Sequence, residues 1–382
     1  MSDGDAMGER FREFQRQLAE RGDPAGPAAG QPASRTERGV REPGSRDWAP
    51  QTQRARPGDR GRRNREAINV PPAEFSSYYG RPILKPPVWK HDIAAYLFTG
   101  GLAAGSSLIA AGADLTGRPT LRRAARITSL GAVVASTYFL INDLGKPARF
   151  HHMLRVAKPT SPMSIGTWIL SAFGPAAGVA AVAELGPLLP ERGVLGLARR
   201  VSSPAGRIAG LAAAATAPAL ATYTGVLLAD TAVPSWHDAY PDLPFLFAGS
   251  ALVGASGAAL IAAPPTETGP VHRLAVAGAA MELVAERRIE HGMGLSSEPY
   301  QQGLGGRLTR LSRALLLGGV AGALVGRRSR LLSMLSGAAL VGSSLATRFG
   351  VFHAGVDSAK DPKYTVVPQR ERLERKGSAP GA

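Results

Sequence analysis

The chain changes character near residue 90. Before it, charged and polar positions follow no helical or strand period and aliphatic residues are scarce; after it, long apolar runs alternate with short breaks rich in proline and arginine. Residues 93–113 carry no charge, and at about 1.5 Å rise per residue a run of about 20 residues crosses the roughly 30 Å hydrocarbon core of a bilayer. Further runs cover 127–141, 163–183, 208–229, 243–263, 271–285, 311–325 and 331–347. The sixth is short and contains Glu282. The pattern predicts an all-α integral membrane bundle of eight transmembrane helices over residues 91–348, followed by a polar C-terminal tail over 349–382. Gly101 and Gly105, and Gly318, Gly322 and Gly326, recur at four-residue spacing, the spacing that lets helix backbones approach closely in lipid.

The first 69 residues, rich in Arg, Gly and Pro, bury too little apolar surface to offset ordering entropy and are expected to be disordered. In residues 70–90 the prolines exclude a regular helix, while Phe75, Tyr78, Tyr79 and Trp89 suit an extended segment lying on a membrane interface or a partner. No signal peptide is expected, because the first run long enough to insert begins at residue 91. The formal charge of +16 raises nucleic acid as a partner, but the arginines at 54, 56, 60, 62, 63 and 65 lack interleaved aromatics and a folded scaffold. Membrane lipid or a docking protein fits that basic tail better.

Cysteine is absent, which removes disulfides, thiolate-held iron–sulfur clusters and Cys-ligated zinc or haem. The seven histidines stand at helix ends or in loops rather than as pairs within the spans, so no haem and no metal is expected in this chain. With eight helices, the first begins, the second ends and the third begins on one face, here called the N face. Near it fall His91, Asp92, Tyr96, Asn142, Asp143, Arg149, Ser164, Trp168, Tyr223 and Asp230. An apolar pocket with hydrogen-bond donors for two carbonyls and a group able to exchange protons suits a quinone headgroup. Structural readings stand beside this one: Asp143 pairing with Lys146 or Arg149, Trp89 and Trp168 anchoring at the interface, His91 capping the first helix. Glu282, with apolar neighbours on both sides, is an ionisable residue at membrane depth and a functional candidate on that ground.

Three motifs then stand in order: Trp89 with Tyr96-Leu97-Phe98-Thr99-Gly100-Gly101-Leu102-Ala103-Ala104-Gly105, Asp143-Leu144-Gly145-Lys146-Pro147-Ala148-Arg149-Phe150, and Ser161-Pro162-Met163-Ser164-Ile165-Gly166-Thr167-Trp168. Together, over residues 70–350, they resemble the NrfD-like membrane subunit of polysulfide reductase and related nitrite and formate oxidoreductases; the high Ala, Arg and Gly content resembles an actinobacterial version. The resemblance implies an anchor in a bacterial plasma membrane, without metal of its own, that binds a quinone such as menaquinone. It implies a ferredoxin-like iron–sulfur subunit docked at the N face and, beyond that, a molybdopterin catalytic subunit of formate dehydrogenase or polysulfide reductase type. Carried onto this sequence, it implies His91, Tyr96, Asp143, Arg149 and Ser164 for quinone contact or proton supply. Glu282, with Glu184 and Asp114 as exits, is the candidate route for protons toward the opposite face. A transporter or channel without redox role is the alternative, and it predicts a polar path through the helix centres.

Overall fold

Proline and glycine set where the helices start and turn. Pro119, Pro162, Pro234, Pro244 and Pro270 occupy first-turn positions, where a missing N–H costs nothing and the fixed φ is already helical. Gly117, Gly193, Gly294 and Gly303 take positive φ at breaks between helices. The computed structural model describes residues 82–377; the tail over 1–69 and the start of the 70–90 segment lie outside the described residues. Residues 82–90 contain no helix, and Lys90 is extended.

The helices follow in order: α1 His91–Leu115, α2 Pro119–Asn142, α3 Pro162–Val182, α4 Gly193–Ala229, the single turn α5 Pro234–His237, α6 Leu243–Ala262, α7 Gly269–Gly292, α8 Gly303–Val325, α9 Arg330–Lys360 and α10 Lys363–Gly377. Short 3-10 segments at Pro147–Arg155, Ala183–Leu188 and Gly294–Tyr300 join them. Among the described residues there is no strand. Among the described residues seven helices are long and apolar enough to cross a membrane. The eighth, α7, is as long as its neighbours at 24 residues, but Arg273, Glu282, Glu286, Arg287, Arg288 and Glu290 keep its composition outside that class.

The sequence marks the lipid-matched part of each helix better than the helix itself. α4 is 37 residues long, about 55 Å, where the apolar run began only at residue 208; its first turns carry Arg199, Arg200 and Arg207. α9 runs on to Lys360 rather than ending at 348, with Val351 and Phe352 buried, and α10 makes the start of the expected polar tail helical.

α1 lies at the centre, packed against α2, α4 and α6, and is buried along most of its length. Small residues allow this. A Cβ on Gly105 would sit 2.5 Å from the Ala251 carbonyl of α6 and 2.7 Å from Ala255 Cβ. Gly257 of α6 and Gly337 of α9 approach reciprocally, each with the other's carbonyl 2.5 Å from where its Cβ would be. Hydroxyl pairs join helices inside the bundle, Ser107 with Ser129 at 2.8 Å and Ser250 with Ser344 at 3.0 Å, as suits an interior without water. At the face opposite the N face, Glu267 accepts from the Leu121 amide at 2.8 Å, and Arg330 donates to the Ala263 carbonyl at 2.6 Å. Those contacts satisfy backbone groups that helix ends leave unpaired.

Candidate functional site at the N face

The start of α1 and the end of α2 are tied by two polar contacts. Asn142 donates to Asp92 at 3.1 Å, and the Lys90 amide donates to Asp143 at 3.2 Å. Asp92 also stands in the first turn of α1, where the helix dipole favours an anion. Asp143 thus holds a backbone N–H rather than Lys146 or Arg149. Partial burial holds its carboxyl above the ordinary range, opposed by the Lys90 hydrogen bond and reinforced by the nearby Asp92 charge.

His91 is exposed. Its ring centroid lies 5.4 Å from His353 and 6.5 Å from Phe349, both on α9, so this helix end carries two imidazoles beside an aromatic face. Tyr96, one turn deeper, is buried in the apolar core. Trp89 stacks on Trp236 of α5 at 5.8 Å. Trp236 is fully buried and donates to the Val351 carbonyl at 2.8 Å, so the segment entering α1 is pinned to the protein as well as placed at the interface.

The third motif builds a neighbouring wall. Ser164 donates to the Val156 carbonyl and accepts from the Lys158 amide, both at 2.9 Å, and the Trp168 indole reaches the same carbonyl at 3.3 Å. Ser164 therefore shapes the turn that leaves the Pro147–Arg155 segment, on which Arg149 is exposed. Gly166 lets Tyr223 of α4 lie against α3, since a Cβ there would meet the ring at 2.2 Å. The Tyr223 hydroxyl is buried without a partner among the described residues.

Deeper in the bundle, Glu282 is 2% exposed and accepts from Thr347 at 2.5 Å, while its second oxygen has no partner among the described residues. The cation whose charge acts on it is Arg348, which is 0% exposed. Arg348 donates to the Phe247 carbonyl at 2.6 Å and lies 3.9 Å over the Phe247 ring. Its guanidinium fills the notch at Gly101 of α1, 2.8 Å from where a Cβ would be. Glu184 and Asp114 lie elsewhere, in one ionic cluster at the opposite face. Glu184 pairs with Arg122 and Arg126, each at 2.8 Å; Asp114 pairs with Arg122 at 3.1 Å and Arg126 at 3.6 Å.

The structure thus brings His91 and Asp143 to the joined ends of α1 and α2, with Tyr96 beneath, and puts Arg149 on the 3-10 segment after α2 and Ser164 at the start of α3. Among the described residues no hydrogen bond or ion pair joins Glu282 to Glu184 or Asp114: Glu282 is held by Thr347, and the other two by Arg122 and Arg126. Sequence reasoning passed over Phe349 and His353 as partners of His91, and Arg348 altogether. Their signal was an aromatic, a histidine and an arginine continuing the helical period of α9 past residue 347.

A comparison with curated proteins finds no match. The family model described as polysulphide reductase, NrfD, matches residues 83–276, half of the chain, and covers all three motifs and the helices that carry them. The chain belongs to the NrfD polysulphide reductase family of membrane proteins.

Proposed function

We propose that this chain is the quinone-reactive membrane anchor of a multisubunit oxidoreductase in a bacterial plasma membrane. It exchanges electrons between a ferredoxin-like iron–sulfur subunit and menaquinone, with a molybdopterin catalytic subunit of formate dehydrogenase or polysulfide reductase type beyond. The observation that carries the reading is the meeting of the first two motifs at one end of the bundle, where Asp143 accepts from the Lys90 amide and the exposed ring of His91 lies beside His353 and Phe349. The donor set suits a quinone: an imidazole beside an aromatic face, and a buried Tyr223 hydroxyl with no partner. A quinone, when bound, supplies two-electron, two-proton chemistry at its two carbonyls. His91 and Tyr223 donate hydrogen bonds toward such oxygens, and His91, being exposed, takes up and returns protons from water. Asp143 fixes the entry to α1, Ser164 and Trp168 hold the adjoining turn, Tyr96 closes the apolar floor, and Arg149 offers a basic surface to the docking partner.

Purification from native membranes in mild detergent tests the reading. Recovery of a cluster-bearing chain, a molybdopterin protein and extractable menaquinone is the expected result. A chain that comes through alone and without quinone overturns it. In the intact complex, His91→Ala and Tyr223→Phe are each expected to weaken quinone binding by about tenfold, the loss of about one hydrogen bond. Unchanged binding in both removes these residues from the site.

A further inference from the structure

Glu282, Glu286 and Glu290 of α7 fall at four-residue steps, which places them along one stripe of the helix over about 12 Å. All three line a single cavity bounded by α6, α8, α9 and the Gly294–Tyr300 segment. The space open to the centre of a water molecule is about 20 Å³, and roughly 10–15 Å³ by that measure holds one water. At the outer end Arg313 of α8, 39% exposed in its side chain, bridges Glu286 at 2.9 Å and Glu290 at 2.6 Å. At the inner end Glu282 has one oxygen on Thr347 and the other buried with no partner among the described residues. Thr347 continues to the Ser312 hydroxyl at 2.6 Å, and Ser312 to Ser343 at 3.0 Å.

A buried carboxylate oxygen left unpaired in a low-dielectric interior calls for a water or a proton. The lining argues against a metal cation. The carboxylates are a helical turn apart and form no metal-holding group among the described residues, and the Arg313 guanidinium stands at the mouth. Around Glu282, α6 contributes Leu246 and Gly249, neither titratable. α8 contributes Arg313 and α9 contributes Arg348. The Gly294–Tyr300 segment contributes Tyr300, whose hydroxyl donates to the Ser235 carbonyl at 3.0 Å.

We propose that Glu290, Glu286 and Glu282 form a water-fed proton path that enters at the N face beside Arg313 and ends blind at Glu282, beside the fixed charge of Arg348. Each step moves one proton between a carboxylate and a water, with no change of oxidation state. The path lies beyond residue 276, where the family match ends, and it needs no bound quinone, so its failure and the failure of the anchor reading are separable. Asp114 and Glu184 are taken up in the cluster with Arg122 and Arg126, and among the described residues no hydrogen bond or ion pair links that cluster to Glu282, which makes the path a half-channel rather than a conduit across the bundle.

Dicyclohexylcarbodiimide, which modifies protonated carboxyls in apolar surroundings, tests this on the quinone-free full chain in lipid nanodiscs, with the modified peptide mapped by mass spectrometry. The expected result is modification at Glu282 that slows by about tenfold per pH unit once the carboxyl is mostly ionised and vanishes in Glu282→Gln. In the unsubstituted protein, the infrared carboxyl band is expected to shift within seconds of transfer to D₂O, and more slowly in Glu290→Gln. A band that exchanges no faster than core amides, or labelling that ignores pH, overturns the proposal. Protection of Glu282 by sodium chloride but not by potassium chloride overturns it in favour of a cation site.

Discussion

Asp143 shows how a single side chain ties two helix ends together. Its oxygen holds the Lys90 amide, so Asp143→Asn keeps the acceptor and removes a charge that faces Asp92, whereas Asp143→Ala loses the contact. The alanine variant is expected to lose about 1 kcal/mol, and the asparagine variant to match or exceed the parent in thermal unfolding at neutral pH. Because the folded-state pKa is raised, the parent is penalised as pH climbs from the ordinary aspartate value of 3.8 through the raised one. The advantage of the asparagine variant is therefore expected to vanish on acidification below that window. That an aspartate ended α2 was legible from the motif; which group it held was not, because the Lys90 amide lies 53 residues away in sequence. Arg348 was hidden for a different reason. An apolar run is read until its first charge, and this charge is what the interior is built around, stacked on Phe247 and seated at Gly101.

Between elements, contact in this bundle is decided by where small residues face. Gly105 meets α6 so closely that a methyl group has no place, and Gly105→Ala is expected to cost about 2 kcal/mol through overpacking. Gly318 belongs to the same kind of four-residue series, but nothing lies within 4 Å of its added Cβ. Gly318→Ala is expected to be neutral or to stabilise by up to about 1 kcal/mol through helix propensity. Equal thermal shifts for the two variants would remove the distinction. The spacing showed which helices could pack closely, but it carries no information about which stripe meets a neighbour. Helix lengths were misread in the same way: hydropathy reports the part matched to lipid, and α4 and α9 extend beyond it on turns that are half polar.

At the scale of the whole molecule, the ionic cluster at the opposite face joins pieces far apart in the chain. Asp114 ends α1, Arg122 and Arg126 begin α2, Glu184 lies after α3, and Arg207 of α4 approaches Asp114 at 3.9 Å. Arg126 and Glu184 are nearly inaccessible, with 7% and 8% of their side chains exposed, so removing Glu184 leaves the buried Arg126 only its longer contact with Asp114 at 3.6 Å. Glu184→Gln is expected to destabilise the protein by about 3 kcal/mol, read as a lower midpoint of thermal unfolding in detergent, while leaving quinone turnover in the complex unchanged. Turnover lost without a change in midpoint would return Glu184 to the role of a proton exit. The helical membrane bundle was readable from the order of apolar runs alone, with eight spans expected and seven helices among the described residues apolar enough to cross. The cluster was not, since each of its charges looks like an ordinary loop charge until the helix ends are brought together.

The reciprocal approach of Gly257 and Gly337 carries a last consequence. In water, two apolar surfaces that part must be rewetted, but in a bilayer the surface exposed when α6 and α9 separate is covered by acyl chains as apolar as the partner. What holds them is the fit of one backbone against another, with a few hydroxyl and arginine contacts beside it, and the competitor is any lipid chain able to lie in the shallow groove those glycines leave. The surrounding bilayer is therefore a reactant in the folding equilibrium of this protein, and its chain shape and order help set how firmly the bundle stays closed.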